Sequence, residues 1–149
     1  MGVEKVLIES LPEFVHPKHF KYSSSPKIEI AIGLESSSSI VLDKCVNKRL
    51  LWKHFVKVCE TARDNGVDVK AYVLLKPPYL GEKEAIEDAV QSAIDAAPYV
   101  DKISINPVNV QKNTVVEKLW FRNEWTAPWL WSVIEVIERC KDLPARVYS

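Results

Sequence analysis

Four short apolar stretches rich in β-branched residues alternate along this chain with longer amphipathic patterns, and each stretch is closed by proline or by a polar cluster. That alternation constrains the fold more than any other feature. Residues 5–11 (KVLIESL) stop at Pro12, residues 27–34 (KIEIAIGL) run from Pro26 to a serine cluster, residues 67–75 (VDVKAYVLL) stop short of Pro77-Pro78, and residues 101–105 (DKISI) meet Asn106-Pro107. Branched side chains pack well on a pleated surface and proline cannot donate the next ladder bond, so all four are predicted strands.

The intervening segments have helical period. Leu51, Phe55, Val58, Cys59 and Ala62 recur at three- and four-residue steps, with Gly66 as a C-terminal stop. Ala85, Ala89, Ala93 and Ala97, flanked by Ile86, Val90 and Ile94, form a second stripe behind Glu82 and Glu84, whose charges suit a helix N-terminus. Leu130, Val133, Ile134, Ile137 and Cys140 form a third, opened by Pro128. Strands separated by such helices imply right-handed crossovers and a mainly parallel sheet, the α/β class. A closed parallel barrel takes about eight strands. The expectation is therefore a partial TIM-type (β/α) barrel of about four strands with flanking helices, one domain over residues 1–149.

A chain of 149 residues with 47% apolar content buries roughly two thirds of its unfolded surface and needs no disulfide to hold a core. Twenty basic against 20 acidic residues exclude a protein that coats nucleic acid by charge alone. No apolar run approaches the ~20 residues of a membrane span, and MGVEKVLIES lacks the basic start and cleavage site of a signal peptide, so the reading is a cytoplasmic chain without a membrane partner. Cys45, Cys59 and Cys140 form no CxxC or CxxxCxxC spacing; Cys59 and Cys140 fall on apolar helix faces and are expected in the core. His16, His19 and His54 are not spaced as a metal set, and AIGLES matches neither GxGxxG nor the Walker pattern. The serine-rich spans 23–25 and 36–39 read as polar loops.

Ligands of parallel βα folds collect at the carboxyl ends of strands. There the chain delivers Glu9 and Ser10, then Glu35 and Ser36 after Gly33, then Lys76, then Asn106 followed by Asn109 and Gln111. Carboxylates, hydroxyls, an ammonium and amides suit a polar metabolite with hydroxyls and a zwitterionic end, yet polar residues terminate most strands and the set names no reaction. Glu9 and Glu35 form at most a weak glycosidase-type acid pair. Trp120, Trp125, Trp129 and Trp131 fall within KLWFRNEWTAPWLWS, where rings either seal the core or offer stacking surfaces for bases; sealing is the expectation, since Lys118 and Arg122 are the nearby cations.

The strings EIAIGLESSS, NKRLLWKHF, KAYVLLKPPYLGEKEAIEDA, SINPVNVQKNTVVEKLW and APWLWSVIEV together resemble the C-terminal half of archaeal radical SAM proteins of the Elongator-like and methylthiotransferase-like superfamily, and within it the radical SAM partner of archaeosine synthase. The likeness extends over residues 6–143. It implies a parallel barrel whose N-terminal CxxxCxxC loop binds a 4Fe-4S iron-sulfur cluster that reduces S-adenosylmethionine (SAM), the hard chemistry belonging to the cofactor. It further implies conversion of a lysine adduct at position 15 of tRNA into archaeosine, with tRNA and an archaeosine transglycosylase-like protein as partners. By position, the resemblance puts Glu9, Ser10, Glu35, Ser36 and Lys76 on the SAM side and Asn106, Asn109 and Gln111 on the substrate side.

The chain lacks CxxxCxxC, so by itself it is expected to hold no cluster in the family's way. The expectation is the C-terminal part of a longer enzyme, as a fragment or a split or truncated gene product, completed by an N-terminal half or a partner subunit. Its first strand would be a raw edge open to dimerisation. Two other readings stand beside this one. A non-catalytic tRNA- or partner-binding module would use the aromatic stretch with Lys76, Lys112, Lys118 and Arg122; a degenerate assembly subunit would fit the neutral charge.

Overall fold

In the computed structural model, which describes residues 2–20 and 26–149 apart from the His19 side chain, five strands form one sheet. The loop expected over residues 23–25 lies outside the described residues. The strands are β1 (Lys5–Ser10), β2 (Lys27–Glu35), β3 (Asp68–Leu75), β4 (Lys102–Pro107) and β5 (Arg146–Tyr148). They lie in chain order and every neighbouring pair is parallel, the arrangement of successive sectors of a (β/α) barrel. The parallel α/β expectation is met with five strands rather than about four. The fifth escapes a periodicity reading because three residues carry no period; its status comes from pairing Arg146 with Lys102 and Tyr148 with Ser104.

Three crossovers carry helices. Between β2 and β3 run the short α1 (Ser39–Val41), capped by the Ser38 hydroxyl, a π-helical turn over Leu42–Val46 that ends at Asn47 with φ 57°, and α2 (Trp52–Asp64). Gly66, at φ +69°, stops α2 because the reversal needs a left-handed residue. α3 (Glu82–Ala96) joins β3 to β4; its Glu84 carboxylate accepts from the Gly81 N–H at 3.0 Å. Between β4 and β5 lie α4 (Val115–Phe121), capped by Thr114, and α5 (Leu130–Arg139). From β1 to β2 the described residues hold two 3-10 turns, Pro12–Phe14 and Pro17–Phe20, in place of a crossover helix.

The helices pack on one face of the sheet. Ile30, Ile32 and Leu34 of β2, Val69, Ala71, Val73 and Leu75 of β3, and Ile103 and Ile105 of β4 meet Phe55, Cys59 and Ala62 of α2, Ala85, Ala89 and Ala93 of α3, and Val133 and Val136 of α5. The alanine stripe lets α3 ride close over β3. Because side chains alternate along a strand, the register puts Lys5, Leu7, Glu9, Glu29, Ala31, Lys70, Tyr72, Lys102, Ser104 and Asn106 together on the opposite face. A sheet wrapped by helices on both sides would read apolar at both phases; here the second phase is polar. In a barrel that face is the interior.

Candidate functional site

The polar face is built in two tiers. Nearest the strand N-termini, Glu29 is 5% exposed yet meets two lysines as close ion pairs, Lys5 at 3.0 Å and Lys102 at 2.8 Å. Lys5 also donates to Asp68 at 2.7 Å. Burial works against the Glu29 charge, but the two ammonium groups outweigh it and hold the carboxyl below its usual range. Asp68 foremost, with Glu29, pushes the Lys5 ammonium upward against its own desolvation.

The upper tier is composed differently. The Tyr72 hydroxyl donates to Glu9 Oε1 at 2.6 Å, and this bond with burial raises the phenol above its ordinary value. Lys70 Nζ stands 4.5 Å from the Tyr72 ring centroid and 5.2 Å from that of Tyr148, a cation held by two aromatic faces. Ser104 donates to Asn106 Oδ1 at 3.0 Å, which leaves the Asn106 amide hydrogens for another acceptor.

At the carboxyl rim the register slips between Gly33 and Glu35, and Glu35 takes φ 67°. Its carboxylate then lies over Gly33: a Cβ there would stand 2.4 Å from Glu35 Oε1 and 2.9 Å from Lys48 Nζ. Lys48 donates to the Gly33 carbonyl at 2.5 Å and to Glu35 at 3.1 Å. Above this rim a groove of about 390 Å³ runs between the π-helical turn and α4, lined by Cys45, Asn47, Leu74, Tyr79, Val108 and Val115 among others.

The residues expected at strand ends separate. Glu9, Glu35 and Asn106 face the open side, and Asn109 and Gln111 are exposed on the loop beyond β4. Ser10, Ser36 and Lys76 stand on the helix side. Ser10 lines an apolar groove with Ile8, Phe14 and Phe20. Ser36 is fully buried and donates to Asp88 at 2.8 Å, while burial pushes the Asp88 carboxyl upward. Lys76, 5% exposed and at φ 61°, donates to Glu82 at 2.6 Å and to Thr126 at 2.9 Å, with the Trp125 ring 5.8 Å away. Strand-end reasoning passed over Lys70, Tyr72, Glu29, Lys102 and Tyr148. The signal was present in the alternating polar positions of KIEIAIGLE and DVKAYVLL.

The cysteine expectation holds for Cys59 and Cys140, which are buried in the core; burial lifts the Cys59 thiol to about 12. Trp125 is the one ring of the aromatic segment that seals the core. Trp120, Trp129 and Trp131 are 47%, 65% and 76% exposed, which corrects the sealing expectation for them: Trp120 and Trp131 sit on the outward sides of α4 and α5, which turn other residues inward, and Trp129 is the extended residue that precedes α5.

Comparison with known proteins places this architecture. No family model matches the chain. It is 44% identical over 143 residues to archaeosine synthase subunit beta of Methanosarcina acetivorans and 42% identical over 148 residues to that of Thermococcus kodakarensis, in alignments covering 93% and 91% of this chain. The chain is similar, over nearly all of its length, to part of archaeosine synthase subunit beta. It spans about two fifths of the length of these relatives, 41% and 43%. Among solved structures, Elp3 of Methanocaldococcus infernus superposes on 95% of the chain with a TM-score of 0.72 at 19% identity, covering 34% of that chain. The radical S-adenosylmethionine methyltransferase TsrM of Kitasatospora setae superposes on 71% with a TM-score of 0.54 at 8% identity, covering 21% of that chain. The likeness to archaeosine synthase subunit beta thus bears out the resemblance read from the sequence, and the two structures bear out the fold. As the relatives are named a beta subunit, a partner subunit belongs to them. Among the described residues no helix is long and apolar enough to cross a membrane.

Proposed function

We propose that this chain supplies consecutive strands, with their rim residues, to a radical SAM barrel that modifies tRNA toward archaeosine, as the C-terminal part of an enzyme completed by a cluster-bearing N-terminal part. The observation that carries the reading is the polar face itself. Five parallel strands in chain order present one apolar face to helices and one charged, hydrogen-bonding face on which none of the described helices packs.

The residues present do not fit an iron-sulfur cluster. Among the described residues no group of three His, Cys, Asp or Glu could hold a metal, and the buried Cys59 and Cys140 thiols are held in the protonated form. No step through a cluster is assigned to this chain. The donor set does fit SAM: Glu9, Glu35 and Asn106 stand on the ligand side, where carboxylates accept from hydroxyl and amine groups and the amide donates. SAM, when bound, supplies the radical precursor. Ser10, Ser36 and Lys76 support this rim from the helix side, and Asn109 and Gln111 face the substrate.

The test is anaerobic reconstitution of the chain with a complementing polypeptide that carries CxxxCxxC. The joined protein is expected to bind iron as a brown 4Fe-4S species and to consume SAM in the presence of tRNA carrying the lysine adduct. A joined, folded protein that takes up no cluster overturns the reading. Exposed Trp120 and Phe121, edge to face at 5.1 Å beside Lys118 and Arg122, favour a second reading as a tRNA-binding module. Its mark would be cluster-independent retention of tRNA that weakens steeply with salt.

A further inference from the structure

At the start of α5 the chain turns large apolar side chains to solvent. Trp129, Leu130, Trp131 and Ile134 are 65%, 75%, 76% and 47% exposed, although Ser132, Val133 and Val136 of the same helix are buried. Between this strip and the first turns of α3 lies a groove of about 520 Å³, walled in part by Ile86, Trp129 and Trp131. The four side chains leave on the order of 500–600 Å² of apolar surface open, as much as the largest patch on a typical monomer, and patches of that size mark interaction sites.

The charges bordering the strip select its occupant. α3 and α5 start side by side, since Glu82 accepts from the Trp129 N–H and the Ser132 hydroxyl, and they run the same way, since Arg139 lies against Glu87 at 2.7 Å. Lys83 stands at the starting end. Toward the other end Glu87, Glu135 and Glu138 outnumber Arg139 and Lys141, and Arg139 is shared between Glu87 and Glu135. The phosphates of a nucleic acid would find no net positive charge here. A surface positive at one end and negative at the other is complementary to a copy of itself turned end for end. We propose that this strip is the interface of a two-fold dimer of this chain: α5 packs antiparallel to α5 of the other copy, Trp131 of each enters the groove between α3 and α5 of the other, and each Lys83 faces the other copy's Glu135. Two such strips cover roughly 1,100 Å² together, past the ~1,000 Å² of a specific interface, and tryptophan is among the side chains that carry most energy at such centres. The inference is independent of the proposed function, because it uses the outer side of the helices and not the open face of the sheet. It also places the contact away from the β1 edge.

Sedimentation equilibrium of the full 149-residue chain from about 1 to 500 µM tests this. A reversible monomer-dimer equilibrium is expected, with tryptophan emission moving to longer wavelength on dilution as Trp129 and Trp131 meet water. Trp131→Ser and Leu130→Ser should each weaken the dimer about tenfold or more, while Phe121→Ser, which removes a 69% exposed ring from α4, should change nothing. Lys83→Glu should weaken it about fivefold, and Glu135→Lys added to that variant should recover most of the loss, because the two ends then match again. The substituted side chains are exposed in the single copy, and near-ultraviolet circular dichroism checks that each variant is folded. Three results overturn the inference: a chain monomeric over the whole range, a dimer that folded Trp131→Ser and Leu130→Ser leave intact, which puts the contact elsewhere, and a Lys83→Glu loss that Glu135→Lys does not recover. None of them touches the barrel reading, which stands or falls on iron uptake by the joined protein.

Discussion

At Lys76 one side chain organises three elements. Its ammonium is buried at the end of β3, and the Glu82 carboxylate that neutralises it also accepts from the Trp129 N–H at 2.9 Å and the Ser132 hydroxyl at 2.5 Å, fastening α3 to the start of α5. Burial opposes ionisation of Glu82, but the hydrogen bonds from Lys76, Ser132 and Trp129 prevail and hold its carboxyl below the usual range. Glu82→Gln strands a buried ammonium and is expected to cost about 3 kcal/mol in urea unfolding at neutral pH. A carboxyl depressed in the folded state contributes fully above its unfolded value, about 4.3, and loses that contribution as pH falls through the lower folded value. The gap between parent and variant should therefore close in acid; a gap constant down to pH 3 or so would refute the assignment. The sequence put Lys76 at a strand end correctly. It could not show that the partner Thr126 lies 50 positions away.

Helix α3 shows how far periodicity reaches at the level of an element. Ala85, Ala89 and Ala93 are at most 1% exposed against β3, whereas Ile94 on the same helix is 43% exposed. Ala89→Leu should therefore overpack the helix-sheet contact and cost about 1–3 kcal/mol, while Ile94→Ala should stay within about 0.5 kcal/mol. Thermal unfolding of the two variants decides it, and equal shifts would contradict the packing. The stripe was legible because seven apolar positions share a 3.6-residue period. α4 and β5 were not. A seven-residue helix offers barely two turns of pattern, and β5 is a strand only because β4 stands beside it, with the Arg146 N–H donating to the Asp101 carbonyl at 3.0 Å.

The whole molecule is asymmetric across its sheet, apolar against the helices and ionic on the other side. Glu29 closes the lower part of the ionic face, and Glu29→Gln should destabilise the fold by about 2 kcal/mol near neutral pH, a modest value because Lys5 and Lys102 reach water at their ends. Since its folded value is lowered, the loss should shrink as pH falls through the carboxylate range, read as converging denaturation midpoints. Midpoints that never differ would show that the pairs contribute nothing. Half of the candidate site was legible from strand ends, where Glu9, Glu35 and Asn106 were singled out. Lys70 and Tyr72 were missed because they lie mid-strand, where alternation tells that a side chain leaves the core but not what it meets, and Lys102 because it opens β4, at the end away from the rim.

By itself the sequence determined the local and periodic terms: four of the five strands, the three longer helices that cover them, that the sheet is mainly parallel, and that Cys59 and Cys140 are core. Those follow from near-neighbour sterics and the burial of one apolar stripe per element. Only the tertiary structure decided which distant groups meet: the stacking of parallel strands joins Lys5 with Asp68 and Tyr72 with Glu9, and the loop between α4 and α5 brings Thr126 to Lys76, each pair at least 50 positions apart. The fold brings these groups within hydrogen-bond distance, and at that range hydrogen bonding and the preference for opposite charge select the pairs.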